Sequence, residues 1–460
     1  MDPATTSKIS ISDLWGVPFR AVGVVGAGGK TTAMFQLARD LAVTTPVIVT
    51  ATAHLGVWQI ALADQNVIAR SARDLSDFEP RGVTLITGPI EGDRTTPVDS
   101  KTLSWLRDKK IPILVEADGS RGRPLKAPDA HEPPIPDFVD CVVVVAGLSG
   151  LGKSLDEANV HRAHLFSTLS GLALGDRIHP EALTRVLRDA RGGLKNIPAG
   201  ARRVALLNQA ETPELQAIGG RMAHDLLRDY DAVLIGSAQQ NDFQVFENTA
   251  GIVLAAGAST RFGQPKQLLD WRGQPFVRVV AQNALVAGLS PVIVVTGAQA
   301  GRVNAALEGL DVVVVDNKDW ESGQASSSRT GVNAITPSAL KGTSPKSFRF
   351  GGGREGAGSA IFLLADQPHL GADILRALTA EHAQTLAPII APLVLEERRA
   401  NPVLFDRVTF PDLLKLEGDV GGRAIFDRHR VHFLPWHDDR LLLDVDTPED
   451  YARLVSDETL

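Results

Sequence analysis

The stretch Gly251-Ile-Val-Leu-Ala-Ala-Gly-Ala-Ser-Thr-Arg261-Phe-Gly-Gln-Pro-Lys266 decides how the second half of the chain folds. An apolar run leads directly into a turn of glycine and other small residues. Such a turn lets backbone N–H groups approach a phosphate chain closely. Arg261 offers a planar fork for phosphate oxygens, and Lys266 adds a point charge. We interpret the segment as a phosphate-binding loop; the alternative is a purely structural turn. The nucleotide-binding candidates are Leu254, Ala255, Ala256, Gly257, Ser259, Arg261 and Lys266.

Two later segments carry carboxylates that suit a metal. Residues 361–368 (IFLLADQP) form an apolar strand that ends on Asp366, where α/β folds place their ligands. An Asp there suits Mg²⁺, which binds one or two carboxylates together with substrate phosphates; the alternative is a cap for the next helix. In residues 443–451 (LDVDTPEDY), Asp446 is a second candidate ligand, and Thr447 and Pro448 also predict a helix start.

The first half contains a comparable segment, Ala21-Val-Gly-Val-Val-Gly-Ala-Gly-Gly-Lys30-Thr-Thr. A strand, a glycine turn and a helix in this order predict a P-loop-like site, although Val24 departs from the strict spacing. Lys30 would reach terminal phosphates and Thr31 would face Mg²⁺; a structural turn is the alternative. The candidates here are Gly28, Gly29, Lys30 and Thr31.

Further charged residues of the first half follow a second apolar strand, residues 113–116. Glu116 and Asp118 stand beside three basic residues, Arg121, Arg123 and Lys126. Such a cluster suits a metal-bound polyphosphate, and a plain surface charge cluster is the alternative. Residues 206–211 (LLNQAE) resemble the base-binding Asn-Lys-x-Asp turn of GTPases, from which Gln209 and Glu211 depart.

The pattern as a whole predicts the α/β class with two doubly wound domains, residues 1–246 and 247–460. Residues 240–249 are polar and predict the boundary. Residues 337–359 are rich in Gly, Ser and Pro and predict a flexible loop, either a tolerated insertion or a lid. The predicted strands lie near 20–25, 46–51, 83–87, 111–116, 141–146, 202–207, 231–235, 250–255, 291–296, 311–315, 360–365 and 388–391.

Composition narrows the function classes. The chain has 460 residues with 44% hydrophobic and 22% charged residues, typical of a globular protein. A net charge of −7 argues against nucleic-acid binding. Cys141 is the single cysteine, which fits a reducing compartment, and no apolar run is long enough for a bilayer. We therefore expect a cytoplasmic protein without membrane contacts, acting on small molecules.

From Gly251 onward the chain resembles the molybdenum cofactor cytidylyltransferases, within the MobA-like nucleotidyltransferases. The resemblance implies a Rossmann-like, GT-A-like fold and transfer of CMP from CTP to the molybdopterin phosphate, which gives molybdopterin cytosine dinucleotide. Guanylyl-transferring relatives usually show Leu-Ala-Gly-Gly and Cys-Asp-x-Pro, whereas this chain has Ala256 in the loop and Ala365 before Asp366. The motifs that carry the resemblance are LAAGASTRFGQPKQLL (254–269), VVTGA (294–298), WESGQASSS (320–328), LLADQP (363–368), NPVLF (401–405), GDVGGRAI (418–425) and LDVDTPEDY (443–451).

The resemblance also implies residue roles. Arg261, Lys266 and Asp366 would be catalytic, and Asp366 and Asp446 would hold Mg²⁺. The candidate contacts to sugar, base or pterin are Ser326, Ser327, Asn401 and Arg423. The family's usual segment before Asn401-Pro402 contains Gly or His, and Arg398-Arg399-Ala400 departs from it.

Residues 15–240 resemble the YqeC-like family, an accessory family of selenium-dependent hydroxylases. The motifs are GAGGKTT, the strand end TATAH (50–54), EADGSRGRPLKAP (116–128) and GLGKSLDEANVHR. The resemblance implies a role in maturing molybdenum hydroxylases, with ATP or GTP bound in this half and a hydroxylase apoenzyme as partner. Two alternatives to cytidylyl transfer stay open: transfer of GMP or another nucleotide, and a cofactor carrier or chaperone.

Overall fold

The computed structural model describes Ile9 and residues 19–259, 262–336, 356–395 and 398–456. The chain divides into two compact units between Phe246 and Glu247. Each unit is built on its own sheet. Among the described residues, no helix is long and apolar enough to cross a membrane.

The first sheet has nine strands, numbered here in chain order. Strands β1 to β9 are Ala21–Gly26, Val47–Ala51, Gln65–Ile68, Val83–Thr87, Ile113–Glu116, Cys141–Gly147, Arg202–Asn208, Ala232–Ser237 and Asp242–Glu247. Helices α1 to α5 are Lys30–Ala42, Ser100–Asp108, Ala163–Ser170, Pro180–Arg188 and Pro213–Leu226. The spatial order is β9-β8-β7-β6-β1-β5-β2-β4-β3.

Strand β1 lies near the middle of this sheet, in parallel register with β5 and β6. The strands are runs of Val, Ile and Leu because both of their faces are buried against other elements. β1 ends at Gly26, and α1 begins four residues later at Lys30. The carboxyl ends of β1, β5 and β7 therefore meet at one edge, where Glu116 and Asn208 end their strands.

The second sheet is mixed. Strands β10 to β17 are Thr249–Ala255, Val292–Thr296, Val313–Asp316, Ser359–Leu364, Ile389–Val394, Arg398–Arg399, Val403–Asp406 and Val431–Trp436. Helices α6 to α11 are Phe276–Val286, Ala300–Ala306, Gln324–Ile335, Ala372–Thr385, Phe410–Leu413 and Pro448–Ser456. The order is β12-β11-β10-β13-β16-β14-β15, and β17 pairs with β14.

The α/β class is confirmed, with two differences in detail. The parallel pattern expected of the second half is interrupted, because β16 runs antiparallel to both β13 and β14. The two units divide between Phe246 and Glu247, within the segment 240–249 predicted to hold the boundary, but this polar segment contains strand β9. Its Phe243 and Val245 are buried and alternate with more exposed polar residues, so buried side chains recur at every second position. Because it has no continuous apolar run, such a strand is easily mistaken for a linker.

Candidate active site

The candidate residues of the second unit gather at the carboxyl edge of the sheet. Leu254 and Ala255 are the last residues of β10, and the loop continues through Ala256 and Gly257. Strands β10 and β13 are paired in parallel, so Asp366 follows its strand at the same edge. Arg261, also predicted here, lies outside the described residues.

A buried glutamine, Gln267, holds the loop after β10 through two hydrogen bonds to its backbone. The Gln267 Nε2 donates to the carbonyl oxygens of Gly257 at 3.0 Å and Ala255 at 3.4 Å. The Lys266 backbone N–H donates to Ser259 Oγ at 3.1 Å, and Ser259 adopts a left-handed φ of 53°. These contacts build the loop without a ligand. Gln267 was missed in the sequence analysis, and its place directly after Lys266 was the only signal for it.

Lys266 brings the two predicted metal ligands together. Its Nζ lies 2.7 Å from Asp446 Oδ1 and 3.8 Å from Asp366 Oδ2. The Lys266 side chain is only 13% exposed, whereas that of Asp446 is 75% exposed. One cation therefore stands between two carboxylates that belong to distant parts of the chain.

The electrostatics of this site favour a cation. Burial raises the pKa of Asp366, Lys266 opposes that rise, and the negative charges of Asp444 and Asp446 add to it. Such a shift means that the ionised form of Asp366 is costly as the site stands. Additional positive charge would lower that cost.

The carboxylate loops are tied to each other by a residue that was not predicted. The Gln367 Nε2 donates to Asp444 Oδ1 at 2.7 Å. Gln367 is 2% exposed, and its Oε1 accepts no hydrogen bond from the described residues. This contact joins the loop after β13 to the segment that carries Asp446.

The donor set fits a hard divalent cation that shares its ligands with a substrate. Among the described residues, no group of three or more His, Cys, Asp or Glu side chains is arranged to hold a metal. Asp366 and Asp446 supply two carboxylates, the number with which Mg²⁺ sites that also bind phosphate are usually built. The residues present therefore fit Mg²⁺ or Mn²⁺ with substrate phosphates completing the shell.

Ser326 and Ser327 are buried in the first turns of α8. Both hydroxyls accept from Asn317 Nδ2, at 2.8 and 3.0 Å, and Ser326 Oγ donates to Gly323 O at 2.8 Å. The Ser326 hydroxyl proton is thus already donated within the protein, so a substrate contact that needs this proton would require the bond to Gly323 O to break.

Asn401 and Arg423 do meet. The Arg423 Nη2 donates to Asn401 Oδ1 at 3.3 Å. Because Phe362 pairs with Val403 in antiparallel register, Asn401 lies beside the carboxyl end of β13. Asp419 accepts from the backbone N–H of Gln324 at 3.2 Å and so holds the 418–423 turn against the start of α8. Both predicted contacts therefore lie at the edge that carries Asp366.

The glycine loop of the first unit is closed rather than open. The Gly26 N–H donates to both oxygens of Asp118 at 3.1 Å. The N–H groups of Ala27 and Gly28 donate to the carbonyl oxygens of Val145 and Arg123. These three groups cannot cradle a phosphate in this conformation. For Gly28 to bind a phosphate as predicted, its amide would have to leave the carbonyl oxygen of Arg123.

Lys30 lies at the centre of a buried charge cluster. Its Nζ donates to Gly26 O at 2.9 Å and lies 3.3 Å from Asp118 Oδ1 and 3.8 Å from Glu116 Oε1. The Thr31 hydroxyl donates to Glu116 Oε2 at 3.3 Å. Burial raises the pKa of Glu116, and Lys30 opposes the rise. The predicted grouping of Lys30, Thr31, Glu116 and Asp118 thus exists in the fold.

Of the three basic residues predicted beside these carboxylates, Lys126 rather than Arg121 contacts the cluster. Arg121 is exposed, with a φ of 51°, and the buried cation beside Asp118 is Lys126 at 2.8 Å. The Lys126 Nζ also donates to Glu132 Oε2 at 2.9 Å, and Arg162 donates to both oxygens of Glu132. Burial alone would raise the pKa of Glu132, but the hydrogen bonds from Arg162 and Lys126 outweigh it and hold that pKa at about 2.

The carboxyl edge of the second sheet thus brings a small-residue loop together with a lysine and two carboxylates. This combination is that of a nucleotidyltransferase, and the comparisons with known families agree. The family model described as MobA-like NTP transferase domain matches residues 251–433, and the model described as YqeC protein matches residues 22–164. The chain belongs to the YqeC family in its first half and to the MobA-like NTP transferase family in its second half.

Three relatives illustrate these matches. The uncharacterized protein YqeC of Escherichia coli K12 is 32% identical over 228 residues, 48% of this chain and 88% of that protein. Nicotine blue oxidoreductase of Paenarthrobacter nicotinovorans is 32% identical over 219 residues, 45% of this chain and 95% of that protein. A probable molybdenum cofactor guanylyltransferase of Bacillus cereus strain G9842 is 43% identical over 47 residues, 10% of this chain and 23% of that protein.

Proposed function

We propose that the second unit transfers CMP from CTP to the terminal phosphate of a molybdopterin cofactor. The observation that carries the proposal is the meeting of Lys266 with Asp366 and Asp446 beside a preformed small-residue loop. Resemblance of the loop and strand-end motifs to cofactor cytidylyltransferases supplies the choice of substrates.

In the proposed reaction a phosphate oxygen of the cofactor attacks the α-phosphorus of CTP. A new P–O bond forms, the bond from the α-phosphorus to the bridging oxygen breaks, and pyrophosphate leaves with its electron pair. The protein needs to hold the reactants in line and to offset negative charge. Asp366 and Asp446 would hold Mg²⁺, which would supply Lewis-acid stabilisation of negative charge on the phosphates.

The residues of the chain divide the remaining work. Lys266, already 13% exposed and tethered by Asp446, would neutralise charge on the α-phosphate as the transition state forms. The N–H groups after Ala256 would approach the triphosphate, with Arg261 proposed for its β- and γ-phosphates. Asn401 and Arg423 would contact the second substrate, because they lie together at the same sheet edge.

The preference for CTP over GTP rests on two small residues. Ala256 replaces the first glycine of the guanylyl-type loop, and Ala365 replaces the cysteine before Asp366. A methyl group in the loop narrows the space beside the base and favours the smaller pyrimidine. The cofactor guanylyltransferase of Bacillus cereus is a relative over a short segment only, so transfer of GMP is the second candidate.

For the first unit we propose a P-loop-like role in which Lys30 binds a nucleotide phosphate. Support comes from the 4% exposed Lys30 at the start of α1, with Thr31 and two carboxylates around it. The N–H groups of Gly29, Lys30 and Thr31 would donate to the phosphate, because those of residues 26–28 already donate to protein acceptors. A metal-bound polyphosphate would face Glu116 and Thr31.

A combined role in cofactor maturation follows from the two proposals. A chain that makes the dinucleotide cofactor and also binds a nucleotide in an accessory unit could hand its product to a molybdenum hydroxylase apoenzyme. We propose that apoenzyme as the partner. A pure carrier would instead bind cofactor tightly and turn over no nucleotide, even when Lys266 is intact.

The test is a turnover assay on the full chain with isolated molybdopterin cofactor, Mg²⁺ and one NTP at a time. Pyrophosphate release and the mass of the product are followed together. CTP-dependent formation of the cytidylyl product is the expected result. A guanylyl product would overturn the choice of nucleotide, and the absence of pyrophosphate with every NTP would overturn transfer. The same assay separates this chain from the activity named for the relative from Paenarthrobacter nicotinovorans, which is a redox activity.

A further inference from the structure

Side-chain hydrogen bonds join the turn after β7, residues 208–211, to the loop after β8 and to the glycine loop. Asn208 ends β7 and is 4% exposed. Its Nδ2 donates to Gly28 O at 2.7 Å, and its Oδ1 accepts from the Ala238 N–H at 2.8 Å. Gly29 has a φ of 106°, and a Cβ there would clash with the Asn208 amide. One side chain thus fixes two loops to the start of α1.

Glu211 ends this turn and uses one of its carboxylate oxygens to hold the turn in place. The Ser237 hydroxyl, 3% exposed, donates to Glu211 Oε1 at 3.1 Å. Glu211 itself is exposed, and its Oε2 accepts no hydrogen bond from the described residues. Gln209, between Asn208 and Glu211, is used elsewhere, because its Oε1 accepts from Ser149 Oγ at 2.5 Å. The turn therefore presents an oriented carboxylate to solvent, next to the loop that precedes Lys30.

We propose that the turn of residues 208–211 binds the base of the nucleotide held by Lys30 and that Glu211 selects guanine. The inference rests on the phosphate-binding role proposed for the first unit. Guanine presents its N1–H and 2-amino donors side by side, and a carboxylate accepts both with charge-assisted bonds. Adenine presents an acceptor nitrogen at that edge, which a carboxylate repels. The ligand class is therefore a guanine nucleoside di- or triphosphate.

Placement supports the assignment of base and phosphate to these two elements. Asn208 contacts the carbonyl of Gly28, two residues before Lys30, and Glu211 lies three residues after Asn208. A nucleotide whose phosphates lie at Lys30 would extend along the same edge towards the turn. Ser237 restrains Glu211, so less conformational entropy is lost when the base binds.

The experiment is calorimetric binding of GDP, ADP and xanthosine diphosphate to the full-length chain. Lys266→Ala is present throughout to remove binding at the second unit. Xanthine carries a carbonyl acceptor where guanine carries its 2-amino donor. Glu211→Gln keeps the shape of the side chain and replaces one acceptor by a donor. Glu214→Gln, an exposed glutamate in the first turn of α5, is the matched control.

We expect GDP to bind at least about 10-fold more tightly than ADP. Glu211→Gln should weaken GDP about 10- to 100-fold and strengthen xanthosine diphosphate, a gain that misfolding cannot produce. Glu214→Gln should change neither. Equal binding of GDP and ADP, or an unchanged base preference in Glu211→Gln, overturns the guanine assignment and leaves phosphate binding standing. If neither diphosphate binds, or if Lys30→Ala binds GDP as tightly as the parent chain, the phosphate-binding role fails as well.

Discussion

Lys266 and Asp446 form an ion pair of 2.7 Å although 180 residues separate them in the chain. The contact ties the segment just before α11, which carries Asp446, to Lys266 in the candidate site. It also places the ammonium group where a divalent cation or a phosphate would need to be. In the proposed reaction, binding of metal and nucleotide would exchange partners among Lys266, Asp366 and Asp446.

Replacing Lys266 tests the proposed charge stabilisation. Lys266→Ala should lower kcat/KM for nucleotide transfer by about 100- to 1,000-fold, since a positioned charge on the transferring phosphorus is lost. Steady-state pyrophosphate release measures this. Lys415→Ala removes a lysine that pairs with Asp412 at the surface at 3.3 Å and serves as the matched control. Equal activity of the two variants would contradict the role of Lys266.

Asp366 should cost stability when no metal is bound. Because its folded pKa is raised, mainly by burial, the stability contributed by the group is present at low pH and lost as pH rises through that pKa. Asp366→Asn should therefore raise the Tm of the metal-free chain at pH 7, by a small amount because the Asp366 side chain is 34% exposed and solvent screens its charge. The gain should shrink as pH falls towards 4, and transfer activity should be lost. Calorimetry in EDTA measures the difference, and a lower Tm at pH 7 would refute it.

The Gln367–Asp444 bond should tune metal affinity. Gln367→Met keeps the volume and removes the donor, so the loop that carries Asp446 loses its tether. Residues that support metal ligands typically contribute 10- to 100-fold, so we expect Mn²⁺ affinity to fall by about 10-fold. Electron paramagnetic resonance titration of Mn²⁺ measures this without turnover. Asp444→Asn keeps an acceptor for Gln367 and should lose less; an equal loss in both variants would disprove the tether.

Glu132 should govern the acid stability of the first unit. Its pKa is about 2 in the folded protein, because Arg162 and Lys126 outweigh burial, against an ordinary value of 4.5. Its contribution is present above about pH 4.5 and is lost as pH falls towards 2. Glu132→Gln should unfold more easily at pH 7 and should show a flatter pH profile between these values. Asp93→Asn, whose carboxylate is 96% exposed, is the control and should match the native protein. Thermal melts followed by circular dichroism from pH 2 to 7 test this.

Much of the fold could be predicted because buried parallel strands are continuous apolar runs. β6 and β10 are recognisable as apolar runs from the sequence alone. Helix α8 is not, because its Ser326-Ser327-Ser328 sequence has weak helix propensity. It forms because Asn317 satisfies two of those hydroxyls and Val332 and Ile335 are buried.

The site was only partly predictable for a similar reason. Lys266, Asp366 and Asp446 could be proposed from local motifs, each at a strand end or loop. The contacts of Gln267, Gln367 and Lys126 depend on which loops meet in space. Glutamine and lysine are common on surfaces, so their sequence positions alone carry little signal.

We propose that the second unit transfers CMP to a molybdopterin cofactor. The most direct measurement is product mass after the full-length chain is incubated with isolated cofactor, Mg²⁺ and an equal mixture of CTP and GTP. We expect a cytidylyl product, with one pyrophosphate released per product and about 100- to 1,000-fold slower formation of both in Lys266→Ala. A guanylyl product, or pyrophosphate formation unaffected by Lys266→Ala, would contradict it.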